Sequence, residues 1–250
     1  MRRYYEGLAQ SSESAARRTG RYELDEPLNA NVWRDLWDKL KPCRGHSVLD
    51  IGCGCGFLAE QLASEAQNLD IRVTFVDFPA VIERLKMELV DRSISLDSMA
   101  FVSGPFPDDF PMQSGRFDRI VMYDSIQYTD NPNDMVDAAV RLLAPGGRFL
   151  IGDIPNLSRK GRFLSTPSGR RFEARYRGVA LEEIAVYADH REFVRKNAQA
   201  NAYPIDDDWV LDIMRRYRDQ GLDVYVLEQF DGLPFNRTRE DLLIVSPDFC

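Results

Sequence analysis

The chain reads as an α/β fold, a largely parallel sheet with helices on both faces, and three observations carry that prediction. Short apolar runs rich in β-formers alternate with stretches whose apolar residues recur at helical spacing. The first run passes through three alternating glycines straight into a helical pattern, the layout of a ligand-binding corner at the edge of an α/β sheet. Repeated β-α units of this length favour parallel strands, and two closing runs joined by a turn-rich link suit an antiparallel pair.

Each element has its own signal. Residues 29–41 carry Val32, Trp33, Leu36, Trp37 and Leu40 at helical spacing, with Asn29 or Asn31 as cap and Pro42 as stop. Residues 48–51 form the first strand and 57–67 the first core helix. Residues 71–76 form a second strand, ending in Asp77. Pro79 suits a first helical turn, and Val81, Ile82, Leu85, Leu89 and Val90 continue the stripe. Residues 100–102 and 117–122 are the third and fourth strands; the proline-rich link 106–116 is too short for a helix. Residues 135–143 are helical, Pro145-Gly146-Gly147 ends that helix, and 148–152 form the fifth strand. Residues 155–205 then break the rhythm, with a basic half rich in Gly and Ser followed by helical stretches near 181–188 and 190–198. Asp206–Asp208 offer cap carboxylates to a helix bearing Val210, Ile213, Met214 and Tyr217, which stops before Gly221. Residues 223–228 and 242–245 close the chain as strands, linked through Gly232, Pro234 and Asn236.

Composition narrows the function. At 250 residues the prior is one α/β domain with additions. A net charge of −8 opposes general affinity for nucleic acid or an acidic membrane. No apolar run approaches the ~20 residues of a membrane span, and Met-Arg-Arg-Tyr-Tyr-Glu-Gly lacks a signal-peptide core, so a cytoplasmic location is expected. Cys43, Cys53, Cys55 and Cys250, with only His46 and His190 to join them, do not make a zinc set and read as reduced thiols. No metal is expected. His46 precedes the first strand, away from the strand ends that would face a ligand.

The corner itself is Asp50-Ile51-Gly52-Cys53-Gly54-Cys55-Gly56-Phe57. Glycines serve where the backbone bends sharply or approaches a ligand, and a helix N-terminus presents free N–H groups. A dinucleotide fingerprint needs its third glycine at position 57, which is Phe57. The pattern Asp-x-Gly-x-Gly-x-Gly instead resembles motif I of the class I S-adenosylmethionine-dependent methyltransferases. The resemblance covers roughly residues 46–154 and, loosely, the closing strands; the Pro145-Gly146-Gly147 turn is also common in that family. It implies a doubly wound, seven-stranded, mostly parallel sheet with the last strand antiparallel. It also implies an N-terminal helical lid (1–45), a core (46–154 and 206–250) and an inserted substrate-covering segment (155–205). S-adenosylmethionine is then the cofactor and S-adenosylhomocysteine the product.

Further residues follow from the corners. Asp50, Gly52, Cys53, Gly54 and Gly56 belong to the first. Asp77 ends the second strand, where a carboxylate accepts both hydroxyls of a ribose, and Phe78 is placed to pack on adenine. The third corner is Ser103-Gly104-Pro105-Phe106; Pro105 stands where the family commonly has an aspartate for the adenine amino group, leaving Asp108, Asp109 or backbone groups for that contact. The fourth holds Tyr123, Asp124, Ser125 and Tyr128, where the resemblance implies contact with the methionine part of the cofactor and with substrate. Tyr5 has a cofactor role only by resemblance to lid helices. Methyl transfer needs positioning first and a base only for a protonated nucleophile; His190, Asp124 and Asp153 are the candidates. Between 155 and 177 seven basic residues meet one acid, so Arg170 and Arg171 are candidates for an anionic substrate.

The expected function is methyl transfer to a hydroxyl or amine of a small, anionic or sugar-type acceptor. The alternatives are a methyltransferase for nucleic acid or protein, against which the acidic charge and the missing Pro-Pro-aromatic motif count, and a non-catalytic cofactor binder. The oligomeric state is not legible, a dimer being one option.

Overall fold

The computed structural model describes residues 7, 27–113, 115–129, 131–198, 203–230, 232–233 and 235–247. Their elements are α1 (Asn29–Leu40), β1 (Ser47–Ile51), α2 (Phe57–Leu69), β2 (Arg72–Asp77), α3 (Pro79–Asp91), β3 (Met99–Ser103), β4 (Phe117–Tyr123), α4 (Pro132–Arg141) and β5 (Leu143–Pro155). These are followed by α5 (Leu157–Leu164), α6 (Pro167–Arg177), α7 (His190–Ala198), α8 (Asp207–Arg218), β6 (Asp223–Leu227) and β7 (Arg239–Val245). The seven strands form one sheet in the order β3-β2-β1-β4-β5-β7-β6. β7 runs antiparallel to both neighbours and the other pairings are parallel.

Alternation along the central strands feeds two cores. Leu49 and Ile51 of β1, Ile120 and Met122 of β4, and Phe149 and Ile151 of β5 face the layer containing α4 and α8. Val48, Val121, Tyr123 and Leu150 face the layer of α1, α2 and α3. Strands covered on both faces read as near-continuous apolar runs, and this is why they were visible in the sequence.

Local chemistry explains where elements begin and end. Asn131 caps α4 by accepting from the N–H groups of Asn133 and Asp134, and Pro132 occupies its first turn, so this helix starts earlier than its apolar stripe suggests. Asp206 accepts from the Trp209 N–H at the start of α8. α1 has no side-chain cap: Leu28 precedes it, and Asn31 donates to the Gly232 carbonyl instead. Val32, Leu36 and Leu40 seat α1 on the sheet, while Trp33 and Trp37 pack beside that core with ring centres 4.8 Å apart. The described part of the N-terminal segment is therefore a sheet-packed helix, and Tyr5 lies outside the described residues.

The segment after β5 departs most from expectation. Its basic, Gly- and Ser-rich half, to which no helical stripe was assigned, is two helices. Asn156 caps α5, Thr166 caps α6 with Pro167 behind it, and Gly178 ends α6 at a φ of +65°. Its glycines are close-packing points: a Cβ on Gly169 would lie 2.0 Å from the Phe163 carbonyl oxygen, and one on Gly161 would lie 3.0 Å from the His190 carbonyl oxygen. Residues 181–188 hold only a short 3-10 turn, Leu181–Glu183.

Candidate functional site

At the C-terminal ends of β1, β2, β3 and β4 lies a cavity of about 430 Å³. That is where open α/β sheets bind ligands, and the volume falls in the usual range of roughly 300–1,000 Å³ for small-molecule sites.

Its floor is the glycine turn. Gly52 and Gly54 take φ values of +71° and +66°, a region closed to most side chains. The N–H of Gly52 donates to the Val76 carbonyl at 2.8 Å, tying the turn to β2. A Cβ on Gly52 would stand 2.8 Å from the Ser125 Cβ, while Ser125 donates to the Ile51 carbonyl at 3.2 Å. The β1 and β4 corners are thereby locked together. Gly52→Ala combines backbone strain with this clash, so a stability loss of about 2 kcal/mol is expected in urea unfolding; an unchanged midpoint would show that the turn relaxes freely.

Asp77 organises the next corner. One carboxylate oxygen accepts from the Gly54 N–H at 2.9 Å and the other from the Phe78 N–H at 2.7 Å. Phe78, not Asp77, precedes α3 at its cap position. Each carboxylate oxygen has more than one acceptor site, so a vicinal diol can still be received. Burial raises the Asp77 pKa to about 6 against the opposing pull of those two N–H donors. Asp50, buried behind the turn, is raised to about 8 by burial first and by the Asp77 charge second. Burial, then Asp77 and Asp50, also push the Cys53 thiol up. At the third corner Gly104, at a φ of +148°, donates to the Asp77 carbonyl at 2.9 Å. A Cβ there would lie 2.4 Å from an Asp109 carboxylate oxygen.

Gly52, Cys53, Gly54, Gly56, Asp77, Phe78, Gly104, Pro105, Phe106, Tyr123, Asp124, Ser125 and Tyr128 all line the cavity. Asp50 does not; it is buried beneath the turn. Asp108 is on the wall, whereas Asp109 packs beneath Gly104. Four carboxylates, Asp77, Asp108, Asp124 and Asp134, line the cavity, and among the described residues no Lys, Arg or His does.

Other candidates lie elsewhere. His190 begins α7, packed against α5 at Gly161. Arg170 and Arg171 sit on α6, half-buried and exposed, outside the cavity lining. The helical packing of this segment takes all three away from the wall. Asp153 is buried at the end of β5, where it pairs with Arg239 at 3.0 Å, and is not part of the lining. Sequence reasoning did not find Asn29, Thr129, Asn131, Asp134 or Met135, which also line the cavity. The cap pair Asn131-Pro132 was the available signal for the last three, since it moves the start of α4 toward the ligand side.

Comparison with known proteins agrees with this geometry. Residues 48–147 match a family model described as a methyltransferase domain. A ubiquinone biosynthesis O-methyltransferase of Xylella fastidiosa is 32% identical over 132 residues, covering 52% of this chain and 51% of that protein. Methyltransferase GfsG of Streptomyces halstedii is 31% identical over 121 residues, covering 48% of this chain and 41% of that protein. The chain thus matches about half the length of these relatives. Among solved structures, the plantazolicin methyltransferase BpumL in complex with S-adenosylhomocysteine superposes with a TM-score of 0.59 at 14% identity, over 98% of this chain and 95% of that one. A Methanococcus maripaludis protein described as a putative S-adenosyl-L-methionine-dependent methyltransferase gives 0.56 at 19% identity, over 91% of this chain and 89% of that one. Residues 48–147 thus match a methyltransferase domain, and the seven-stranded sheet to which they contribute has the strand order of the class I, Rossmann-like methyltransferase fold.

Proposed function

We propose that this chain transfers the methyl group of S-adenosylmethionine to a hydroxyl of a small, uncharged acceptor. The observation that carries this reading is the cavity itself: a diol-accepting carboxylate beside a glycine turn, in a wall of four aspartates without a described cationic side chain. The acidic wall complements a sulfonium cation and disfavours an anionic acceptor. The hydroxyl assignment draws on the relatives named as O-methyltransferases.

When bound, S-adenosylmethionine supplies a methyl group already activated on a positively charged sulfur. Asp77 would hold the ribose, and Phe78, beside it on the cavity wall, would pack on the adenine. Gly104–Phe106 would hold the adenosine end, and Asp124, Ser125 and Tyr128 the methionine end and the approach of the acceptor. A hydroxyl acceptor must give up its proton when it is methylated and S-adenosylhomocysteine is released, and Asp134 is the cavity carboxylate placed to accept it. Residues 46–154 and 206–250 serve as the catalytic core, and helices α5–α7 as its flanking cap.

Calorimetry tests the reading. S-adenosylmethionine and S-adenosylhomocysteine are expected to bind and NAD to give no heat. Methyl transfer to members of a panel of neutral hydroxylated compounds is expected next. Silence with both sulfur ligands would overturn the proposal.

A further inference from the structure

We propose that Arg239 is a positioning residue: from the first place in β7 it holds the Asp124 carboxylate at the cavity edge, and so sets how the protein reads the amino-acid end of the cofactor. The inference rests on the methyltransferase reading above and goes beyond it in assigning work to a residue that does not line the cavity.

The Arg239 side chain is 19% exposed. Its Nη1 donates to Asp124 Oδ1 at 2.5 Å, to Asp153 Oδ2 at 3.0 Å and to the Asp153 carbonyl at 2.9 Å. Gln127 Nε2 donates to the same Asp124 oxygen at 2.6 Å. Two donors from different elements therefore converge on one oxygen of a cavity-lining carboxylate.

Asp124 and Asp153 follow β4 and end β5, and both adopt left-handed φ values, +52° and +58°. Non-glycine residues keep that backbone state only where the surroundings over-determine it. Here the surroundings form a connected network. Gln229 Nε2 donates to Asp153 Oδ1 at 3.1 Å, and the Asp153 N–H donates to Asp241 Oδ1 at 2.8 Å. Lys39 of α1 pairs with Asp241 at 2.6 Å. The Phe235 ring centre stands 4.9 Å from the Arg239 guanidinium, and Tyr176 of α6 packs edge-on to Phe235 at 5.4 Å. The cavity edge is thereby joined to β7, to α1 and to the inserted helices.

Charge balance argues that more than packing is served. One guanidinium against Asp153 alone would close an ion pair between β5 and β7. Asp124 sets a second carboxylate on the same guanidinium, an arrangement that adds desolvation cost without being needed to neutralise the arginine. The second carboxylate is the one on the cavity. Held there, beside the corner locked by Ser125 to the glycine turn, it presents an anionic acceptor to an ammonium group.

The test compares two ligands that differ by that amino-acid end. S-adenosylhomocysteine carries it; 5′-methylthioadenosine has the same adenosine and thioether without it. In Arg239→Ala, S-adenosylhomocysteine affinity is expected to fall roughly 10- to 100-fold, while that for 5′-methylthioadenosine changes by less than about twofold. Millimolar guanidinium ion should restore part of the loss, and Arg239→Lys should fall between. Should Arg239→Ala fail to fold, the double variant Arg239→Gln/Asp153→Asn removes one charge of each sign and leaves Asp124 without its arginine, with the same selective loss expected. Unchanged S-adenosylhomocysteine affinity, or a parallel loss for both ligands, overturns the inference and leaves Arg239 a structural residue. If the natural chain binds neither ligand, the methyltransferase reading fails first and takes this inference with it.

Discussion

Asp77→Asn is expected to weaken S-adenosylhomocysteine binding about 30- to 150-fold, the equivalent of roughly 2–3 kcal/mol. The carboxylate accepts from two backbone N–H groups, one on each oxygen, and has acceptor capacity left for a ribose diol. An amide replaces one acceptor with a donor, which must then face a backbone N–H or a ribose hydroxyl. Either way the second corner loses a charged partner and the glycine turn loses a tie. The same side chain predicts a pH dependence. In the unliganded protein Asp77 is raised to about 6, chiefly by burial. Ribose hydroxyls donate, so the ligand favours the ionised form. Affinity should be constant well above pH 6 and weaken by up to about tenfold per unit below it, because a proton must then be displaced on binding. In Asp77→Asn this slope should vanish. Isothermal titration between pH 5 and 8 checks both parts, and a flat profile for the natural protein would remove Asp77 from the ribose.

Much of this corner was legible because its constraints are local. Three alternating glycines, an aspartate at the end of the next strand and runs of apolar residues each state their requirement within a few positions. Gly52 and Gly54 do adopt left-handed conformations, and Asp77 does join the turn. Residues 155–177 were harder because composition and packing point in opposite directions. Glycine and serine interrupt any apolar stripe there, yet Gly161 and Gly169 are small so that α5, α6 and α7 can approach one another, and Asn156 and Thr166 supply caps that an apolar stripe does not reveal. Arg170, Arg171 and His190 were chosen for their chemistry without a position, and helix packing sets them apart from the cavity wall. Arg239 shows the opposite failure. It lies 115 residues from Asp124 in sequence, in no motif, and only the pairing of β5 with β7 brings the two together. Burial alone would lower its pKa, but the charges of Asp153 and Asp124 hold it above its usual value.

Asp50→Asn is expected to stabilise the unliganded protein, increasingly so as pH rises. Asp50 is buried beneath the glycine turn, and burial, with the Asp77 charge second, raises its pKa to about 8 from a usual 3.8. In the unfolded chain it ionises near the usual value. Between these limits the folded state therefore binds a proton that the unfolded state has released, and the slope of stability against pH is negative. The Asp50 contribution is unperturbed below about pH 4, declines as pH rises toward 8, and is flat beyond. An asparagine of nearly the same shape carries no such penalty. The gap between Asp50→Asn and the natural protein should thus be small near pH 4, widen steadily to pH 8 and then hold, reaching several kcal/mol on the order of 1.4 kcal/mol per unit of displacement, shared with its coupled neighbour. Urea unfolding of both proteins across pH 4 to 9 measures it. A gap that stays constant or narrows with pH would mean that Asp50 is ionised in the folded state. It would also alter the charge balance at the cavity: Asp77, which lines it, would then share its surroundings with a second negative charge.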